Sequence, residues 1–444
     1  MNEQFALVAD QSVLGPRSRL HRLEPQGLGT PGVEAMTSYL LRLAASHALP
    51  VGSLAVDLVG PELGRTRVYG EARTDRSSFF NSSIYRGPQA INGVGDYGEL
   101  WLGAIQRLVL RDDLAPLSMV SWRRALSARG LLRDHLAACA HCLHEAAVAG
   151  RTIHEPLLWS IAQVTTCPLH GCQLLQSCPH CATRSPLLGW DAQVGHCRRC
   201  GSWLGSSICD EQPGSEWESW ISASVGRLLE LPLERRIAGG TMARAITQAV
   251  ARSTNGNAAA FARAIGRSKS LVTEWRQGRA APTLESLLRI AAYARLDFVA
   301  LVRGSAVADP QPPARSTLGA WAREVKSAPD WGVVESQLEA ALALDPPQSF
   351  AALCRDLHLD AQSVRERFPA LAGQLVSRRR QWSEHQRNER CEVLTGAVHG
   401  AVVAICEAGD HPSRRRVEAL LPPGASLRED ALRTAWRESI ATHQ

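Results

Sequence analysis

No uninterrupted apolar run in the 444-residue chain approaches the roughly 20 residues that carry a helix across a bilayer. The opening MNEQFALVADQSVLGPRSRL also lacks a basic segment followed by an apolar core. These absences lead us to expect a soluble, cytoplasmic protein with no membrane partner. Lysine is nearly missing: Lys269 and Lys326 are the two that occur, so arginine carries almost all the positive charge. Arginine forks suit bidentate contacts to phosphate and guanine, but a GC-rich genome gives the same bias without any such contact. The chain has neither a G-x-x-x-x-G-K-[ST] phosphate loop nor a G-x-S-x-G nucleophile elbow, so an enzyme built on either is not expected. Low-complexity tracts and fixed-period repeats are absent too.

What remains is globular in composition, with 45% hydrophobic and 21% charged residues. Lys and Arg number 49 against 43 Asp and Glu, and the resulting charge of +6 hints weakly at a polyanionic partner until it is located. At about 150 residues per domain the length corresponds to about three domains, each able to bury its own core. The expected divisions are a helical part at 1–138, a metal-binding part at 139–210, a second helical part at 211–307 and a C-terminal part at 308–444.

The cysteines are concentrated. Seven of the twelve, all between 139 and 200, stand in pairs separated by two residues: Cys139/Cys142, Cys178/Cys181, Cys197/Cys200 and the mixed pair Cys167/His170. In a reducing compartment such pairs favour metal over disulfide, because two thiolates at that spacing wrap one tetrahedral ion in a tight turn. Eight ligands predict two closed zinc sites. Fifteen residues separate Cys181 from Cys197, the two-knuckle spacing of a zinc ribbon. Twenty-four separate Cys142 from Cys167, including the apolar stretch EPLLWSIAQ, which would bring those knuckles together. Crossed pairing between the sites stays open, and His141, His144, His180 and His196 stand beside the ligands as alternatives. Four protein ligands leave no position for water, so the ions are expected to staple the fold rather than catalyse. Cys172, Cys209, Cys354, Cys391 and Cys406 lack partners at ligand spacing and read as buried small apolar side chains.

Residues 33–46 and 96–110 have apolar positions at helical spacing, whereas 60–95 are rich in Gly, Ser, Arg and Asn and predict irregular chain. After EQPGSEWESW (211–220) a helical run is expected to about Arg252, and ADPQPPARS (308–316) is a Pro-rich linker. The segment 257–304 reads as a short helix ending at Gly266, a second helix capped by Ser268 or Ser270 with Val272 and Trp275 inward, and a third opening at Pro282-Thr283. This order resembles the helix-turn-helix of phage repressors, with the second helix as the reading helix. By that resemblance Lys269, Ser270, Thr273 and Glu274 would face base edges, and Arg267, Arg276, Gln277 and Arg279 would lie near phosphates. A three-helix bundle serving only packing is the bland alternative. Between 251 and 304 there are nine basic and three acidic residues, an excess equal to that of the whole chain.

Farther on, 349–382 reads as another helix-turn-helix ending in Arg378, Arg379 and Arg380. Residues 409–436 read as turn, helix, Pro-Gly connection and helix, with Arg414, Arg415 and Arg416 at a helix start, where three cations oppose the dipole and point to an external anion. A solvated face explains such runs equally well. Residues 355–444 hold 14 Arg against 12 acidic residues, so any contact there comes from local clusters.

The runs LHRLEPQGLGT, VEAMTSYLLRLAASHALP, LLRDHLAACAHCLHE, LLWSIAQVTTCPLHGCQLLQSCPHC and CRRCG resemble the TniQ/TnsD family, target-selection proteins of bacterial transposons that use an AAA+ ATPase regulator. The resemblance covers about 16–205, and FPAL, HPSRRRVEALL and Trp436 are similar to the longer, TnsD-like members. It implies a mainly α, multi-domain protein with zinc-ribbon or zinc-knuckle modules, two structural zinc ions and helix-turn-helix DNA-binding units. It further implies a nucleoid-associated, non-enzymatic selector that binds double-stranded DNA and recruits a TnsC-like AAA+ ATPase, with residues 16–50 as the ATPase contact. The short members of the family imply a different role, an adaptor bridging a CRISPR surveillance complex to the ATPase. An ordinary transcription regulator would leave the N-terminal half unexplained.

Overall fold

The computed structural model describes residues 17–63, 88–206, 213–232, 241–311, 313, 329–357, 359–422, 425–427 and 429–443. Residues 64–87 of the expected irregular stretch, Cys209, and 312 and 314–316 of the Pro-rich linker lie outside them.

The chain is mainly helical, as its periodicity predicts. Helix Met36–Ser46 buries Met36, Tyr39, Leu40 and Leu43 on one face. Ala48, in the left-handed region at φ 54°, turns the chain into Val51–Glu62, a helix bent 105° from the first. Helix Asp96–Val109 adds Trp101, Ile105 and Leu108 to the same core. The single turn Leu157–Ser160 and helix Ala140–Val148 join this layer to the cysteine-rich loops.

Helix Glu216–Leu229 starts with a reciprocal cap: Ser215 accepts from the Glu218 N–H while Glu218 accepts from the Ser215 N–H. The same carboxylate accepts from Thr165 Oγ1 at 2.8 Å and Gln173 Nε2 at 3.0 Å, tying the helix to the Cys167/His170 turn. Behind it lie Thr241–Thr254, Ala258–Ala264, Lys269–Arg276, Leu284–Ala294 and Phe298–Val302. An Arg227–Asp297 ion pair (2.8 Å) and the Trp220 indole on Asp309 (3.0 Å) hold this five-helix unit in place. One contiguous buried cluster therefore runs from Leu20 to Val302 and includes six of the seven paired-motif thiols, with Cys142 packed against it, so the first three expected divisions share a core.

The C-terminal part has two smaller cores. Helices Trp331–Ala341, Phe350–Asp356 and Ala361–Arg367 pack Val334, Leu338, Phe350 and Val364 against the start of helix Pro369–Glu407. The end of that helix packs Val398, Val402 and Ile405 against helices Arg414–Leu420 and Asp430–His443. The sequence pattern predicts separate units at 349–382 and 409–436, but a single 39-residue helix, about 58 Å long at 1.5 Å per residue, connects them.

No strand occurs among the described residues of the cysteine-rich turns. Isolated antiparallel bridges stand in their place, at Thr166/Gln173, Ala138/Leu175 and His196/Trp203. Each turn closes on itself: Cys167 N–H donates to Cys172 O (2.8 Å) and Cys197 N–H to Ser202 O (2.9 Å), leaving little ladder to form.

Candidate metal centres and nucleic-acid interface

The turns bring the paired ligands together in the uncrossed arrangement. Cys139, Cys142, Cys167 and His170 form one group and Cys178, Cys181, Cys197 and Cys200 another, each with all ligand atoms within 4.8 Å of one another. A tetrahedron of Zn–S bonds of 2.3 Å has S···S edges of about 3.8 Å. The second group matches this with 3.7 Å for both Cys178–Cys200 and Cys181–Cys197. In the first, Cys142 and Cys167 are 3.6 Å apart, and His170 Nδ1 lies 3.4, 3.3 and 3.5 Å from the sulfurs of Cys139, Cys142 and Cys167. Donor type, number and spacing thus fit two ions of the zinc class.

Electrostatics point the same way. Thiol-to-thiol hydrogen bonds, led by Cys139 onto Cys167 and by Cys178 onto Cys200, pull Cys167 and Cys200 far below the ordinary thiol range. Contacts led by Cys142 and Cys181 push Cys139 and Cys178 far above it. Four sulfurs at contact distance cannot all ionise without a cation among them.

Several supporting residues were not legible in the motif. His170 Nε2 bonds Glu145 Oε1 at 2.9 Å, so Nδ1 is left for the ion. Arg198, inside CRRC, has a fully buried side chain and donates to both Glu155 oxygens at 2.6 Å, as well as to the carbonyls of Gln193 and His196. Glu155 also accepts from Gly195 N–H (2.9 Å), and its carbonyl accepts from Ala35 N–H (2.9 Å), which anchors the second cluster to the first helix. Cys172 is buried as expected, yet its sulfur lies 3.8 Å from that of Cys139, a fourth thiol beside the three of the first centre.

In the repressor-like unit, Gly266 at φ +65° makes the turn and Ser268 Oγ caps helix Lys269–Arg276 by accepting from Leu271 N–H at 3.3 Å. Val272 and Trp275 are buried; Lys269, Ser270, Gln277 and Arg279 are exposed, and Thr273 and Glu274 are half-buried. Two of the expected phosphate contacts are not freely presented, one being paired and the other partly buried. Arg267 is paired with Glu285 at 2.7 Å and donates to Ser286 Oγ at 2.9 Å, while Arg276 has its Nε buried.

The C-terminal arginines divide similarly. Arg378 donates to Leu344 O at 2.9 Å, Arg380 pairs with Glu384 at 2.8 Å, Arg414 with Glu418 at 3.2 Å and Arg416 with Asp410 at 2.6 Å, and Arg415 is exposed. Arg379 departs from the sequence expectation of a surface contact, because it is buried and donates to the carbonyls of Pro347 and Cys181 and to Thr183 Oγ1.

The profile of the TniQ family matches residues 25–174, the N-terminal helices together with all four ligands of the first centre. Residues 25–174 are a TniQ domain. The TniQ match ends before Cys178, so the four-cysteine centre and every helix from Glu216 onward lie beyond it. No curated protein matches the chain. A TniQ domain makes the protein transposition-related.

Proposed function

We propose that this TniQ protein selects a transposition target by binding double-stranded DNA sequence-specifically and then recruiting an AAA+ regulator that directs the transposase nearby. The observation that carries the reading is the helix Lys269–Arg276. Val272 and Trp275 are spent on the core, whereas Lys269, Ser270 and Leu271 are exposed on its first turn, in the segment whose positive excess equals that of the whole chain. Lys269, Ser270, Thr273 and Glu274 serve as base readers, with Arg279, Gln277 and Arg415 as the accessible positioning contacts and Arg378, Arg380, Arg414 and Arg416 able to join by exchanging their present partners. Two zinc ions, each closed by four protein ligands, staple the fold and contribute no chemistry. The protein is therefore no enzyme; its contribution is position. Adding the element's AAA+ ATPase with ATP to a complex on insertion-locus DNA tests the recruitment step. The footprint lengthens on one side if the reading holds, and stays unchanged if the protein does not recruit the ATPase.

A further inference from the structure

Two arginines of the helix Pro369–Glu407 reach the two turns of the four-cysteine centre. Arg379 is 7% exposed; its guanidinium donates to the carbonyl of Cys181 and to Thr183 Oγ1 on the first turn, and to Pro347 O at 2.5 Å, while stacking 4.8 Å from the Trp382 ring. Arg390 lies on the second turn, against Gly201, the residue after Cys200. Gly201 has φ +73°, which favours glycine, and a Cβ there would come within 2.6 Å of Arg390 Nη2, so the guanidinium occupies the space a side chain would take. Glu429 holds Arg390 from the other side through bonds of 2.9 and 3.0 Å.

Eleven residues are close to three helical turns, about 16 Å, so the two side chains leave the same face of the helix. One helix thus delivers one cation to each half of a single metal site. A divalent ion on four thiolates carries two net negative charges; the charge of Arg198, within the same turn, is already matched by Glu155, and Arg199 acts on both Arg379 and Glu384. Burial pulls Arg379 down while the Cys181 and Cys178 thiolates favour its charged form, and Cys200 acts in the same sense on Arg390.

We propose that Arg379 and Arg390 are the charge partners of the metal-loaded four-cysteine centre, so that metal binding there fastens the long helix, and the C-terminal helices it carries, to the N-terminal half of the chain. This rests on metal occupancy of that centre and not on DNA binding. Because coupling is reciprocal, whatever docks the helix more firmly also holds the metal more firmly.

Alkylation by N-ethylmaleimide in the presence of a chelator, with peptide masses read against time, tests this on full-length protein carrying two metal equivalents. In Arg379→Met/Arg390→Met, we expect Cys178, Cys181, Cys197 and Cys200 to be alkylated about 10- to 100-fold faster than in the parent, the scale of lost outer-shell partners. Cys139, Cys142 and Cys167 should keep the parental rate, and hydrogen exchange along 369–407 should rise. Lysine at both positions keeps the charge and should restore most of the protection. Parental rates at both centres would overturn the proposal, as would equal acceleration of both, or equal loss in the Lys and Met variants. If the double variant does not fold, Arg390→Met alone, at the more open of the two positions, gives the same readout.

Discussion

Glu145 Oε1 lies 2.9 Å from His170 Nε2, and that contact decides which imidazole nitrogen faces the sulfurs of Cys139, Cys142 and Cys167. The hydrogen bond from His170 holds the Glu145 carboxyl below its usual range, consistent with an anion orienting the ring. Glu145→Ala should weaken metal retention at the first centre by about 10- to 100-fold while leaving the second unchanged, and Glu145→Gln, which keeps an acceptor, should lose less. Chelator competition measures this. Unaltered retention in Glu145→Ala would mean that the thiol turns alone orient His170.

Metal removal should have a structural cost. The thiols of Cys139, Cys167, Cys178, Cys181, Cys197 and Cys200 belong to the same core as Tyr39, Trp101 and Phe261. Stripping the ions, or Cys178→Ser, is expected to abolish or strongly lower the thermal transition of the N-terminal half, because the ligand turns have almost no ladder of their own. A transition retained at its original temperature after complete removal, checked by metal analysis, contradicts this.

Base and phosphate contacts should separate in binding titrations. Lys269→Ala or Thr273→Ala should relax sequence choice, each costing about 1–3 kcal/mol against the preferred site. Arg415→Ala should weaken all sequences alike and lower the salt slope by about one. Arg379→Ala belongs to neither class, since its guanidinium is consumed by Cys181, Thr183 and Pro347. Gel-shift titrations at several salt concentrations distinguish the three behaviours.

Acid should act on the Glu218 cap in a definite direction. Burial pushes this carboxyl up, but hydrogen bonds from the Ser215 backbone, Gln173, the Ser215 hydroxyl and Thr165 outweigh it and hold the group below its ordinary 4.5. A depressed folded pKa gives stability that is present above the ordinary range and is lost as pH falls through the folded value. The difference in melting temperature between the parent and Glu218→Gln should therefore be constant from about pH 6 upward and shrink below about pH 4.5. A difference independent of pH would remove the carboxylate's charge from the account.

The grouping of the eight Cys and His side chains into two clusters is legible because ligand chemistry fixes spacing within a turn: two residues between donors is what a tetrahedral ion imposes, whatever surrounds it. Glu145, Glu155 and Cys172 are not, since each meets its partner only after the chain folds back over 25, 43 and 33 residues. Ser268, Gly266, Val272 and Trp275 were placed correctly from capping chemistry and periodicity, which are local. Arg379 was misplaced because an Arg-Arg-Arg run reads as solvated. Its register decides otherwise: Leu375, Arg379 and Ser383 follow one another four residues apart, and all three are buried. The unit read over 349–382 does not end there, since its last helix runs on to Glu407. Polar residues 383–392 continue the helix, supported by Gln386–Glu389 and by Arg390 with Glu429, where the apolar pattern alone gives no reason to continue.

The most direct test of the selector reading is footprinting of the purified, two-metal protein on double-stranded DNA spanning the element's own insertion locus, with no guide complex and no ATPase. The account predicts protection of one defined sequence by the parent and its loss at matched concentration in Lys269→Ala/Thr273→Ala, with folding and metal content unchanged. No protection by the parent, or protection that appears only when an RNA-guided complex is added, would contradict it.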